Sequence, residues 1–367
     1  VERSPGMVAV TFENEYLTYQ QLNSRANRLA NFLRRLDVGP ESFVGICLER
    51  SIDLVVAILA VLKAGAAYVP LDSDYPKERL ALILEDTGAR VVLTHQDIAD
   101  RLPDQNLVFL DSDQIGLESE TNASVEVSLQ NAVYVLYTSG STGRPKGVTI
   151  CHQTLSNHML WFQREFQLTE ADRVMQRTSI SFDASVWEFF APLLVGGQLI
   201  LARPREHVDS TYLEKLIADQ QISIIQLVPS VLRMLVNEPG FQSLRSLRMI
   251  FCGGEALPAE LLQVVVANSS AEICNLYGPT EATIDTIFWR FKESVYDSAV
   301  PIGRPVSGCR AYLLDADPAR LGVGRGRLPE RRHHPRDQRA RAPQIQRRQR
   351  AGQGDLGDSR REHHRRE

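Results

Sequence analysis

Residues 134–147 read YVLYTSGSTGRPKG, an apolar, aromatic run that breaks into hydroxyls, glycines and one lysine. Tyr134 to Tyr137 have the β propensity and the turn-residue flanks of a buried strand. The residues from Thr138 onward have the composition of an irregular loop built for close contact. Gly140, Gly143 and Gly147 permit positive φ and a near approach of backbone to a ligand. Thr138, Ser139, Ser141 and Thr142 add hydroxyl donors, and Lys146 adds a compact positive charge behind the stiff Pro145. Together they predict a phosphate cradle. A flexible Ser/Gly linker shares the composition, but ten polar or small residues directly behind a buried strand argue against one. The spacing departs from GxxxxGK[ST], because Gly147 follows the lysine where a magnesium-binding hydroxyl would stand, so a Walker-type NTPase is disfavoured.

On the N-terminal side the chain starts at Val1 without an initiator methionine, in what reads as the end of a helix, and the whole reads as a fragment. Thr18 and Gln21 have capping-box spacing, opening a helix whose apolar face is Leu22, Ala26, Leu29, Leu33 and Leu36 and which Gly39-Pro40 ends. A strand at Phe43 to Leu48, a helix at Ser51 to Ala64, an extended segment at Val69 to Leu71, a helix at Pro76 to Thr87 and strands at Arg90 to Thr94 and Leu107 to Leu110 continue a βαβ alternation. Glu118 to Gln130 is polar and aperiodic and reads as a linker. Beyond the cradle come helices near Thr154 to Phe166, Val186 to Leu194 and Thr211 to Gln220. Strands are expected at Arg173 to Thr178, Gln198 to Ala202, Ile222 to Val228, Leu247 to Cys252 and Glu272 to Leu276. The expected fold is α/β, with two doubly wound sheets covered by helices. The first unit would be about residues 1–125 and the second, carrying the cradle, about 126–300.

The chain's 43% hydrophobic content can bury a sizeable core. Leu54 to Leu62, the longest apolar run, is too short to span a bilayer and no signal peptide is apparent, so a cytoplasmic location is expected. Cys47, Cys151, Cys252, Cys274 and Cys309 form an odd set without a CxxC pair, arguing against a disulfide framework and a zinc site. The net charge of −4 hides an asymmetry, since 15 of the arginines and only 6 acidic residues follow Asp317.

YTSGSTGRPKG is similar to the nucleotide-binding signature of adenylate-forming enzymes, and within them to the amino-acid adenylation domains of nonribosomal peptide synthetases. LTYQQL at Leu17, LKAGAAYVPLD at Leu62, FDAS at Phe182 and NLYGPTE at Asn275 come in the family's order. The resemblance implies that the loop closes over the β- and γ-phosphates of ATP, with Thr138, Ser139, Gly140, Ser141, Thr142, Gly143 and Lys146 in that role. It implies a nucleotide site completed by Gly254, Tyr277 against the adenine, Gly278, and Thr280 at the α-phosphate. Glu281 would hold magnesium, and Glu281, Thr280 and Lys146 would serve the reaction. The activity implied is formation of aminoacyl-AMP and pyrophosphate, then transfer to a phosphopantetheine thiol. Peptidyl carrier and condensation domains would be the partners.

Asp183 lies in the mostly apolar SFDASVWEFF. Alone it reads as a helix N-cap; by resemblance it pairs with the α-ammonium of the bound amino acid. The resemblance also implies a side-chain pocket of Asp183, Ala184, Trp187, Gln226, Phe251, Gly253, Leu276, Ile284 and Asp285. Trp187, Phe251, Leu276 and Ile284 would make an apolar tube, with Gln226 and Asp285 as polar groups along it. A carboxamide both donates and accepts, so it satisfies Gln226 and an ionised Asp285 together, whereas a carboxylate is repelled by Asp285. Glutamine is the expected substrate, with glutamate second.

The family course, including the start of a β subdomain, ends near Asp317. The ribose-binding aspartate, the hinge and the C-terminal lid with its lysine are not identifiable, and Gly354-Asp355-Leu356 has the wrong neighbours for the ribose triplet. Residues 318–367 have no aromatic residue and read as a disordered, frame-shifted tail. Severely slowed adenylation is expected of such a chain. Arginine clusters can bind phosphate backbones, but no stacking aromatics are interleaved, so no specific nucleic acid is expected. An acyl- or aryl-CoA ligase would share the phosphate loop; Asp183 weighs against it.

Overall fold

Thr18 starts the first helix as its spacing predicts. Its Oγ1 accepts from the Gln21 backbone N–H at 3.3 Å, and Gln21 Oε1 accepts from the Thr18 N–H at 2.9 Å, closing the capping box. Thr18→Ala is expected to cost about 1 kcal/mol, read as a lower urea midpoint at unchanged slope; an unmoved midpoint would show that the cap adds nothing. The computed structural model describes residues 1–103, 106–139, 144–291 and 300–312, and Val1–Arg310 form one unit.

The strands run β1 Val8–Phe12, β2 Glu15–Thr18, β3 Phe43–Cys47, β4 Ala67–Pro70, β5 Val91–Thr94, β6 Asn106–Phe109, β7 Ala132–Thr138, β8 Lys146–Cys151, β9 Arg173–Gln176 and β10 Gln198–Leu201. β11 Ile224–Leu227, β12 Met249–Cys252, β13 Glu272–Tyr277, β14 Ile287–Arg290 and β15 Arg304–Pro305 complete them. The helices are α1 Tyr19–Arg35, α2 Ile52–Lys63, α3 Lys77–Thr87, the single-turn α4 Asp113–Gly116, α5 His152–Phe166, α6 Ala184–Val195, α7 Ser210–Gln220, α8 Pro229–Leu235 and α9 Ala259–Asn268.

Two parallel-rich sheets result, as the alternation predicts. One has the order β6-β5-β3-β4-β7-β8, the other β15-β14-β13-β12-β11-β9-β10-β1-β2. Three local expectations fail. Residues 1–7 lead into β1 rather than finishing a helix, and β1 pairs in parallel with β10 from far along the chain. The stretch after Thr138 is not all irregular, because Lys146 and Gly147 begin β8, which returns antiparallel along β7 with Lys146 opposite Thr138. The strand behind the 118–130 linker therefore extends the first sheet.

One cation joins the sheets. Arg50, just past β3, donates from Nε to Gln176 Oε1 at 2.7 Å and from its terminal nitrogens to the backbone oxygens of Arg177, Ala202 and Arg203. Burial pulls the Arg50 pKa down to about 10. Beside it the fully buried Glu188 of α6 accepts from Thr178 N at 3.0 Å, Thr178 Oγ1 at 2.7 Å and Arg177 N at 3.2 Å. These bonds fix the loop between β9 and α6, where FDAS lies.

Candidate active site

β9, β11, β12 and β13 lie side by side and parallel, so the loops at their C-terminal ends share one edge of the sheet, where open α/β sheets bind ligands. FDAS follows β9, Gly253-Gly254 follows β12, and Gly278 to Glu281 follows β13. Gln226 on β11 registers with Phe251 on β12, which registers with Cys274 on β13. Cross-strand partners share a face, so Gln226, Phe251 and, two residues beyond Cys274, Leu276 point to the same side.

That side is covered by aromatic rings. Phe162 of α5 stacks on Trp187 at 4.7 Å, and Trp187 meets Phe251 edge-on at 5.1 Å. Trp187 does more than wall the pocket, because its Nε1–H donates to Gln226 Oε1. With its oxygen engaged, Gln226 keeps its NH₂ donors, and Nε2 lies 4.0 Å from where a Cβ on Gly253 would stand.

Asp183 occupies the N-cap position of α6 but makes no capping hydrogen bond. Its Oδ2 is shut off from solvent and has no partner. Burial, then the Asp285 carboxylate, raise the Asp183 pKa to about 7, against a weaker pull from the Thr280 hydroxyl. Asp285 Oδ2 is likewise buried without a hydrogen-bond partner. Of the predicted lining, Gln226, Phe251 and Leu276 thus share a face of the sheet, Trp187 touches Gln226 and Phe251, Gly253 lies beside Leu276, Ile284 and Asp285 follow on the next turn, Ala184 opens α6, and Asp183 and Asp285 each bury a carboxylate oxygen without a hydrogen-bond partner.

The turn carrying Ile284 and Asp285 is strained. Thr283 and Ile284 have φ of +71° and +61°, a region that β-branched residues rarely enter. A Cβ on Gly278 would lie 2.2 Å from Ile284 O and 2.7 Å from Asp285 Cα. Glycine is therefore the one residue type at position 278 over which this turn can pass.

Of the predicted nucleotide site, Thr138 ends β7, Ser139 is exposed beside it and Lys146 starts β8. β8 packs against the Thr280–Ala282 turn, so the lysine strand and the turn holding Thr280 and the exposed Glu281 are neighbours. Tyr277 is half-buried at the end of β13, and Gly254 has a φ of +82°. Gly140, Ser141, Thr142 and Gly143 lie outside the described residues, as do Leu313 to Asp315 and the arginine-rich tail. Among the described residues no group of three or more His, Cys, Asp or Glu is arranged for a metal, no disulfide forms, and no helix is long and apolar enough to cross a membrane.

Two pocket groups escaped the sequence reading. Tyr134 is fully buried with an unpartnered hydroxyl; burial, with Tyr68, Asp183 and Asp285 nearby, raises its pKa and keeps it a neutral donor. His158 on α5 is 3% exposed, and its Nε2 stands 3.6 Å from Asp285 Oδ2. A lone histidine on an apolar helix face reads as core. Only its facing Asp285, more than a hundred residues away, marks it as more.

A family model described as AMP-binding enzyme matches residues 1–328, past the Asp317 limit read from the sequence. Tyrocidine synthase 3 of Brevibacillus parabrevis is 45% identical over 323 residues, 88% of this chain and 5% of that protein. Phosphinothricin tripeptide synthetase PhsB of Streptomyces viridochromogenes is 42% identical over 322 residues, 86% of this chain and 27% of that protein. The chain thus spans a small part of these relatives. Among solved structures, the nonribosomal peptide synthetase FmoA3 aligns at TM-score 0.81 and 30% identity, over 86% of this chain and 34% of that one. The N-terminal subdomain of Klebsiella oxytoca NpsA aligns at TM-score 0.73 and 27% identity, over 83% of this chain and 76% of that one. The motifs, the two sheets and these matches agree: the chain belongs to the AMP-binding enzyme family, as an adenylate-forming adenylation domain of the nonribosomal peptide synthetase type.

Proposed function

We propose that this chain activates glutamine, with glutamate second, as the aminoacyl adenylate. The observation that carries the reading is Asp183, a half-buried carboxylate with an unpartnered oxygen at the C-terminal edge of the sheet. An α-ammonium supplies the cation it lacks. The substrate carboxylate then attacks the α-phosphorus of ATP, the bond to the bridging oxygen breaks, and pyrophosphate leaves. FmoA3 structures with AMPPNP and with α-methyl-L-serine-AMP lend support by similarity.

The polar end of the pocket favours an amide. Gln226 offers NH₂ donors because Trp187 occupies its oxygen, and Asp285 offers acceptors. A glutamine side chain answers both at once, through its carbonyl and its NH₂. An aliphatic side chain would leave each group unpaired, at about 1–3 kcal/mol apiece.

Lys146, Thr280 and Glu281 fit the triphosphate end, since β8 borders the Thr280–Ala282 turn. Magnesium binds through one or two carboxylates plus phosphate oxygens, so Glu281 suffices on the protein side and the ion would neutralise charge on the leaving pyrophosphate. Thr138, Ser139, Gly140, Ser141, Thr142 and Gly143 close over the β- and γ-phosphates in this reading, while Gly254, Tyr277 and Gly278 form the adenine side. Carrier and condensation domains would take up the product in the cytoplasm, the carrier through its phosphopantetheine thiol.

An aryl-acid ligase is the second reading, because the NpsA neighbour was solved with 3-hydroxybenzoyl-AMSN, whose acyl group has no ammonium. Asp183 decides between them. Exchange of labelled pyrophosphate into ATP across the twenty amino acids and benzoate, with calorimetry on glutaminyl sulfamoyl-adenosine, which needs no turnover, tests it. Glutamine-dependent exchange or analogue binding, lost in Asp183→Ala, is expected. Binding of a benzoyl analogue alone would overturn the reading.

A further inference from the structure

The Asp183 side chain does little to hold itself in place. It makes no capping hydrogen bond at the start of α6, and its Oδ2 has no partner. A carboxylate with so few bonds of its own stands where the chain on either side puts it. On one side that chain is α6. On the other it is the segment from Gln176 to Phe182, and the near end of that segment is gripped by Glu188, itself a residue of α6.

Besides the bonds from Arg177 and Thr178, Glu188 Oε2 accepts from Gln176 Nε2 at 3.1 Å. The bonds from Thr178 to Glu188 close the chain into a ring, with Asp183 midway between the two residues. Within the ring, Ser179 Oγ donates to Asp72 Oδ2 at 3.0 Å and Phe182 N donates to Ser179 O at 3.0 Å. Arg177 ties the ring to β11, because its guanidinium donates to His207 O at 2.8 Å and to Gln226 O at 3.4 Å. Each group that meets Glu188 donates, and Glu188 supplies acceptors. A glutamine oxygen in the place of Oε2 takes the same three N–H groups, and its NH₂ can donate to Thr178 Oγ1. The ring therefore depends on the bonds and not on the charge. A leucine there would orphan the buried Arg177 and Thr178 N–H groups, and the segment would have to move to pair them.

We propose that Glu188 is a positioning residue: by bonding residues 176–178 to α6 it sets where the Asp183 carboxylate stands, and through it the affinity for the α-ammonium of the substrate. The inference rests on the amino-acid reading above. Glu188 acts on the substrate only through Asp183, so its loss should weaken recognition of the ammonium and leave the rest of the ligand bound as before.

The test uses the full chain and calorimetric Kd values for glutaminyl sulfamoyl-adenosine and for the same analogue without its α-amino group, with wild type, Glu188→Leu and Glu188→Gln. Wild type is expected to favour the amino analogue about tenfold or more, the worth of a hydrogen bond between charged groups. Glu188→Leu should bring the two Kd values within about threefold, chiefly by weakening the amino analogue, while Glu188→Gln should keep the wild-type preference. A preference unchanged in Glu188→Leu, whatever the overall loss of affinity, overturns the proposal, and so does its loss in Glu188→Gln. If Glu188→Leu does not fold, Thr178→Val, which removes only the 2.7 Å bond from Thr178 Oγ1, should lower the preference about twofold or more, and an unchanged preference overturns the proposal. A second readout needs no ligand: the carbon-13 titration of the Asp183 carboxyl, assigned with Asp183→Asn. It should stay at about 7 in Glu188→Gln and fall by about one pH unit or more in Glu188→Leu, as the freed carboxylate reaches water. If wild type shows no preference for the α-amino group, the amino-acid reading fails and this titration alone decides, a fall in Glu188→Leu supporting the role of Glu188 and an unmoved value overturning it.

Discussion

Asp183→Asn is expected to abolish amino-acid binding and at the same time to raise the melting temperature of the ligand-free protein at pH 8. Burial and the neighbouring Asp285 raise the Asp183 pKa from the ordinary carboxylate range to about 7. Between about pH 4 and pH 7 the folded protein therefore holds a proton that the unfolded chain has released. Stability falls as pH rises through that window, and the full penalty is present above pH 7. Asparagine keeps the shape without the charge, and should recover on the order of 2–4 kcal/mol at pH 8 and little at pH 4. An equal change at both pH values would refute the account.

The same carboxylate must be ionised to meet an ammonium. Wild-type affinity for an amino acid should accordingly fall about tenfold per unit as pH drops below 7, measured by calorimetry. Removing one member of a buried charge pair costs about 3–5 kcal/mol, so Asp183→Asn should weaken binding at least a hundredfold. Retained affinity would place the ammonium elsewhere.

Gly278→Ala is expected to have an effect of similar size from a single methyl group. The added carbon would stand 2.2 Å from Ile284 O and 2.9 Å from Ile284 C, and neither is a side-chain end that can swing away. The turn has no slack to give, because Thr283 and Ile284 already sit at left-handed φ. Displacing it carries Ile284 and Asp285 out of the pocket. Urea titration should show a loss of about 1–3 kcal/mol in stability, and calorimetry a hundredfold or greater loss of analogue affinity. Gly6→Ala, where no atom lies within 4 Å of the new carbon, is the control. Wild-type affinity in Gly278→Ala would mean that the turn is more compliant than its geometry implies.

The sequence displayed much of this arrangement because its signals are local. Thr18 and Gln21 announce a cap three residues apart, and the helix ends expected at Ala64 and Thr87 fall where α2 and α3 end. Non-local pairing left no such mark. VAVTF at Val8 gives no sign that it will lie beside Leu199 to Leu201. KGVTIC has strand propensity, yet it follows so rich a loop that Lys146 read as part of that loop. Trp187 read as apolar lining because its indole N–H finds Gln226 only when α6 is laid across β11. His158 was invisible for the same reason.

β11, β12, β13 and β14 are consecutive in the chain and adjacent in the sheet, and β11 joins β9 through the single registered pair Ile224 with Val174. Chimaeras can therefore be cut before Ile222 and after Arg290, exchanging the side-chain end of the pocket as a cassette while Asp183 stays with the host. Among the side-chain contacts that cross that seam are the hydrogen bond of Trp187 to Gln226 and the 3.6 Å approach of His158 Nε2 to Asp285 Oδ2. A donor cassette brought in without matching partners at positions 158 and 187 would leave those two contacts unmade, and those host positions are the ones to recode with it.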